Sequence, residues 1–162
     1  MLVKDRMSSP PMTLRMDADY KTALKLMQEH GLRHVPVLDA AGELAGILAE
    51  RDVLIAAMRY LQSTVDVSEI MHRDVVTVTA DTPITRAAML MINHKIGGLP
   101  VVGEHNRVIG IVTETDIFRA FVETLPEEKA VNVPPRRRRI KPRTIAPAPG
   151  KPGTFRRAKR LP

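Results

Sequence analysis

Displaced by 64 residues, the sequence falls on itself without a gap, with 15 identities over about 60 aligned pairs. Met7 meets Met71, Thr13 meets Thr77, Asp17 meets Asp81 and Ala23 meets Ala87. Further along, Met27 meets Met91 and His30 meets His94. Pro36-Val37 meets Pro100-Val101, Gly46-Ile47 meets Gly110-Ile111, and Glu50 and Asp52 meet Glu114 and Asp116. Most other pairs exchange like for like, as Leu44 does with Val108. A match of this length implies two copies of one supersecondary unit.

Both copies carry the same local signals. A short extended stretch comes first, Met12-Thr13-Leu14 or Val75-Val76-Thr77-Val78. A helix follows. In the second copy Asp81-Thr82-Pro83 announces it, with Pro at the first helical position. Ile84, Ala87, Ala88 and Met91 then repeat with helical spacing, as do Ala23, Leu26, Met27 and His30 within a helix from Tyr20 to His30. Next come two apolar strands joined by a polar turn, Val35–Leu38 with Leu44–Leu48 and Leu99–Val102 with Val108–Val112. The Pro in each first strand lacks an N–H, so that strand is expected to expose an edge there. A second helix closes each copy, from Asp52 and from Asp116. Six consecutive apolar residues, Val53 to Met58, cover most of the first of these helices. Such a helix needs cover on more than one side, which predicts packing on the other copy or on a second chain.

The unit is therefore β-α-β-β-α, twice, an α+β fold. A copy of about 60 residues is marginal alone, so the two are expected to pack through their sheets as one pseudo-two-fold module. The divisions are residues 3–62 for the first repeat, 63–125 for the second and 126–162 for a tail. From Pro126 onward, mixed Pro, Gly and like charge read as a disordered basic segment.

Charge separates the same regions. The formal net charge is +7, but from Glu127 onward there are 12 Lys/Arg against 2 Glu, leaving 13 Lys/Arg against 16 Asp/Glu in residues 1–126. The basic character belongs to the tail, and the body shows no nucleic-acid footprint. There is no cysteine, hence no disulfide framework and no thiolate metal site. No apolar run approaches the ~18 residues of a membrane span, and the charged start lacks a signal peptide's apolar stretch. A cytoplasmic location is expected.

Each copy resembles a cystathionine-β-synthase (CBS) domain. The marks are the Leu/Val-Pro-Val strand and the pattern Gly-apolar-x-Thr/Ser-x-x-Asp after the second strand. The second copy has it in full, Gly110-Ile111-Val112-Thr113-Glu114-Thr115-Asp116. The first copy reads Gly46-Ile47-Leu48-Ala49-Glu50-Arg51-Asp52, with Ala in place of Thr. The resemblance runs from Val3 to about Leu125 and is similar to small stand-alone CBS pairs.

The motif has a physical logic. Thr113 stands where a strand becomes a helix, and free helical N–H groups there favour an anion. The carboxylate of Asp116 can accept hydrogen bonds from two ribose hydroxyls. The resemblance implies that Thr113, Asp116 and Asp52 are nucleoside-binding residues. It places the base against the start of a repeat, near Met12 and Val76, and Arg33 on phosphates. Thr113 and Asp116 equally satisfy the preferences of a helix start with no ligand at all. Without Thr at position 49 and with Gly97-Gly98 opposite Arg33-His34, the two sites are expected to be unequal, the second copy's motif marking the better one.

Three readings stand. The first is a non-catalytic sensor that binds an adenine nucleotide or adenosyl compound (AMP, ADP, ATP, S-adenosylmethionine, NAD or a cyclic dinucleotide). That binding would change a homodimer so as to regulate an unknown partner protein. The second is a dimeric scaffold whose tail, with Arg136-Arg137-Arg138-Arg139-Ile140-Lys141, binds nucleic acid or an acidic partner. The third is an enzyme, for which no Ser-His-Asp set or Gly-rich phosphate loop can be assembled. His30 and His34 are separated by Gly31, so no metal site is expected.

Overall fold

The computed structural model describes residues 1–60 and 63–125. The tail reading above falls outside these residues. The first repeat follows the predicted order, whereas the second opens with a short helix and lacks the predicted first strand. Strand β1 (Leu14–Arg15), helix α1 (Tyr20–His30), strands β2 (His34–Leu38) and β3 (Leu44–Ala49) and helix α2 (Glu50–Arg59) make the first repeat. Helices α3 (Val67–Ile70) and α4 (Ile84–His94), strands β4 (Gly98–Val102) and β5 (Val108–Thr113) and helix α5 (Glu114–Thr124) make the second. One sheet has the order β1-β2-β3 and the other β4-β5. The hairpins are in register with each other: Val35 faces Leu48 as Leu99 faces Val112.

The first helix of each repeat shows why the sequence stops and starts where it does. The Asp19 side chain accepts a hydrogen bond from the Thr22 amide at 2.7 Å, and Gly31 ends α1 in the left-handed conformation at φ 64°. In the second repeat Pro83 is one residue outside α4, not its first residue, and no side chain caps that end. The Ile84 N–H instead donates to the Met1 carbonyl at 3.2 Å. Lys95 ends α4 in the left-handed region at φ 55°, where Gly31 serves the first copy. Along the shared face Ala23, Met27, Ala87 and Met91 are buried, whereas His30 is exposed. The extended stretch at Val75–Val78 reduces to one parallel bridge, Val78 with Val101.

Pro36 corrects another expectation, whereas β4, which carries Pro100, is an edge strand of its two-stranded sheet as expected. Pro36 and Pro100 are fully buried, and β2 is the central strand of its sheet. No donor is missed, because β1 meets only Val37 and Leu38 and stops short of Pro36. On the other side Ile47 exchanges both its backbone hydrogen bonds with His72, at 2.9 Å each, so it asks nothing of Pro36.

The cores are exchanged between repeats. Val3, within a 3-10 turn at Val3–Asp5, is fully buried among Val78, Ala87, Met91, Leu99, Val101 and Val112 of the second repeat. Val67, at the start of the second repeat, is fully buried among Leu14, Met27, Val35, Val37, Leu48 and Val53 of the first. The backbone repeats the exchange: Val3 N to Thr82 O and Lys4 N to Ala80 O, against Val67 N to Ala18 O and Ser68 N to Met16 O. After each crossing the chain bridges the far hairpin, Ser8 with Ile111 and His72 with Ile47. The two motif glycines make room for this. A Cβ on Gly46 would stand 2.6 Å from the Met71 sulfur, and one on Gly110 would stand 2.6 Å from the Met7 sulfur. The division at 62/63 therefore follows sequence register, while packing interleaves the two copies.

Candidate functional site

Two clefts of similar size, about 510 and 540 Å³, occupy equivalent places in the two halves. Each is walled by the end of one repeat's second strand, the first turn of the following helix, and the segment that crosses from the other repeat. Thr113, Asp116, Arg33 and Met12 line the first cleft, together with Ser8 and Arg119. Asp52 and Val76 line the second, with His72, Asp74, Arg51 and Lys95. The six residues singled out in the sequence thus divide four and two between the clefts.

Thr113 is the N-cap of α5, as its place after β5 predicts. Its hydroxyl does not stand free for a ligand: it donates to Asp116 Oδ2 at 2.7 Å, and the Thr113 amide donates to the same oxygen at 2.8 Å. These bonds fix the carboxylate, which is only 8% exposed. Asp116 Oδ1 lies 3.9 Å from an Arg119 guanidinium nitrogen. Arg33 is exposed and reaches across to the first turn of α5, donating to Thr115 Oγ1 at 3.3 Å. Its carbonyl accepts from the Glu50 N–H at the start of α2, just as the Gly97 carbonyl accepts from the Glu114 N–H of α5. These backbone bonds tie each helix start to its own repeat, and the Arg33 side chain is what reaches the opposite one.

The second cleft is held differently. Ala49 has no hydroxyl to orient Asp52, and Asp52 Oδ2 instead pairs with His72 Nε2 at 2.9 Å. Ser8 is the counterpart of His72 in the first cleft. Sequence reasoning passed over His72, although its register partner is a small hydroxyl residue. It also passed over the role of His34. That side chain lines both clefts and packs against the opposite repeat, with a Cβ at Gly97 falling 2.9 Å from His34 Cε1. The pairing of His34 with Gly98 was the available signal, since a Cβ at Gly98 would stand 3.1 Å from His34 Cγ. Burial holds the His34 imidazole below its ordinary range, Arg33 adds to this, and Glu114 and Asp52 oppose it. Among the described residues, no group of three or more His, Asp and Glu is placed to hold a metal.

Two interleaved β-α-β-β-α repeats with paired clefts at their helix starts define a CBS pair, and comparison with known proteins agrees. The CBS domain family model matches residues 3–59 and 67–123, and the chain belongs to this family. It is 38% identical over 120 residues to L-aspartate semialdehyde sulfurtransferase of Methanocaldococcus jannaschii, covering 74% of this chain and 23% of that enzyme. It is 33% identical over 135 residues to a CBS domain-containing protein of Dictyostelium discoideum, covering 76% of this chain and 93% of that protein. A solved CBS domain pair in complex with 5′-methylthioadenosine and S-adenosyl-L-methionine superposes with a TM-score of 0.71 at 36% identity, covering 77% of this chain and 98% of that one. Another similar structure, at 27% identity and a TM-score of 0.67, holds AMP and covers 75% of this chain and 96% of that one. The chain therefore spans about a quarter of the sulfurtransferase but nearly the whole of the Dictyostelium protein and of the two solved chains. No described helix is long and apolar enough to cross a membrane.

Proposed function

We propose that this protein is a non-catalytic sensor that binds an adenosine compound between its two CBS repeats and so regulates a partner in the cytoplasm. The observation that carries this reading is the cleft at Asp116. There a nearly buried carboxylate has one oxygen fixed by Thr113, lines an open cleft of about 510 Å³, and has Arg33 and Arg119 beside it. A carboxylate so placed suits vicinal ribose hydroxyls, and the arginines suit phosphate. The bound adenosyl ligands of the two similar structures support the ligand class. The Asp52 cleft is the weaker site, because a ligand there competes with His72 for the carboxylate.

We further propose a homodimer. Phe118, Phe121 and Val122 on α5, Ile92 on α4, and Leu54 and Met58 on α2 are all exposed, with Phe118 at 66%. That much apolar helix surface favours association. Binding can alter such a dimer only through different affinities for its two states. The 12 Lys/Arg from Glu127 onward favour a second reading, in which the pair only dimerises and the tail contacts nucleic acid or an acidic partner.

Thermal unfolding against AMP, ADP, ATP, S-adenosylmethionine and NAD, with Asp116→Ala alongside, tests the sensor. A ligand at ~100 times its Kd adds about 2.7 kcal/mol, a shift of several degrees. Such a shift, lost in Asp116→Ala, supports the sensor. A flat panel with salt-sensitive nucleic-acid binding supports the scaffold.

A further inference from the structure

The two clefts are built from equivalent positions, so each difference between them is a difference in what they accept. Asp74 in the Asp52 cleft takes the place of Pro10 in the Asp116 cleft. Each cleft also has two cationic side chains, Arg33 and Arg119 in one and Arg51 and Lys95 in the other. The Asp116 cleft thus sets two arginines against one carboxylate, whereas the Asp52 cleft sets two cations against Asp52 and Asp74. The cations differ in placement too. Arg33 comes from the opposite repeat and meets the first turn of α5 at Thr115, 3.3 Å away, so a guanidinium and a helix N-terminus converge there. Gly97, its counterpart, brings no charge to the first turn of α2.

We infer that the clefts sort adenosine compounds by charge. The Asp116 cleft takes a phosphorylated one. The Asp52 cleft takes one without phosphate, uncharged or cationic at its 5′ end, and Asp74 is the residue that rejects phosphate. Exclusion by a placed like charge discriminates as effectively as an added contact. This rests on the proposed binding of adenosine compounds and adds which compound goes where. One chain could then read the ratio of a nucleotide to a non-phosphorylated adenosyl compound.

Titration calorimetry of the full chain with AMP and with 5′-methylthioadenosine tests the assignment. AMP is expected to fill one site, abolished by Asp116→Asn and weakened several-fold by Arg33→Ala. 5′-Methylthioadenosine is expected to fill a site that Asp52→Asn abolishes. Asp74 is exposed, so Asp74→Lys is not expected to disturb folding. It should shift the AMP-to-methylthioadenosine affinity ratio of the Asp52 cleft toward AMP by about tenfold at low salt. Two equal AMP sites in the unaltered protein, or an unchanged ratio in Asp74→Lys, would overturn the sorting while leaving adenosine binding intact. If neither compound binds, the underlying reading fails and the sorting fails with it.

Discussion

If the repeats complete each other's cores, a truncation in one repeat must weaken the other. Val67 is 0% exposed and packs in the first repeat, although it opens the second. Val67→Ala removes two methyl groups, worth about 0.8 kcal/mol each in transfer free energy, or roughly 1.6 kcal/mol. The vacated volume, on the order of 50 Å³, adds up to ~1.2 kcal/mol at about 24 cal/mol per Å³ if the walls do not close. The expected loss is about 2–3 kcal/mol. Val3→Ala should lose a similar amount, because Val3 holds the reciprocal place at 0% exposure. Urea unfolding followed by circular dichroism measures both. A single transition should move to lower urea in each variant with an unchanged slope, since the interleaved halves unfold together. A loss under ~0.5 kcal/mol, or a second transition with one half left in place, would refute the exchange.

Other outcomes follow from individual contacts. Thr113→Ala removes the hydroxyl that fixes Asp116, and should lower stability by about 1 kcal/mol while weakening ligand binding in the Asp116 cleft, read by the same melts with and without ligand. Lys95→Gly relieves a left-handed residue at φ 55° and should raise stability by about 1 kcal/mol; urea midpoints decide it, and a loss would contradict the strain. His34 is held below the ordinary 6.5, so the unfolded chain binds its proton first as pH falls. The stability it contributes is therefore full above that value and declines as acidification proceeds toward the lower folded value. Urea midpoints between pH 7.5 and 5.5 should fall less steeply in His34→Asn, and equal slopes would refute this. Phe118→Glu puts a charge on the most exposed aromatic face and should shift sedimentation toward the monomer; an unchanged profile removes α5 from the interface.

The fold was legible because the repeat constrains it twice. Every hairpin, and α1 and α4 to within a residue or two, could be read from one copy and checked against the other. The exchange of segments was not legible. A fixed register of 64 residues looks the same whether Val3 packs under its own helix or the neighbouring one. Pro36 misled for a related reason: a missing N–H marks a place without a partner strand, and β1 is too short to reach it, yet burial is decided by the layers above and below. At the site, the Gly-x-x-Thr-x-x-Asp pattern drew attention to Thr113 and Asp116, and the two copies differ in what holds the carboxylate, Thr113 in one and His72 in the other. What escaped was the choice each polar group makes. The Thr113 hydroxyl donates to the Asp116 carboxylate, and Asp52 takes His72, a residue twenty positions away whose approach depends on the crossing.

Adenosine sensing by this protein depends most on the Asp116 carboxylate meeting a ribose. A crystal structure of the protein grown with millimolar AMP examines this directly. AMP is expected in the Asp116 cleft, with its ribose hydroxyls on the Asp116 carboxylate and its phosphate toward Arg33. An empty Asp116 cleft at that concentration, or AMP bound with its ribose away from Asp116, would contradict it.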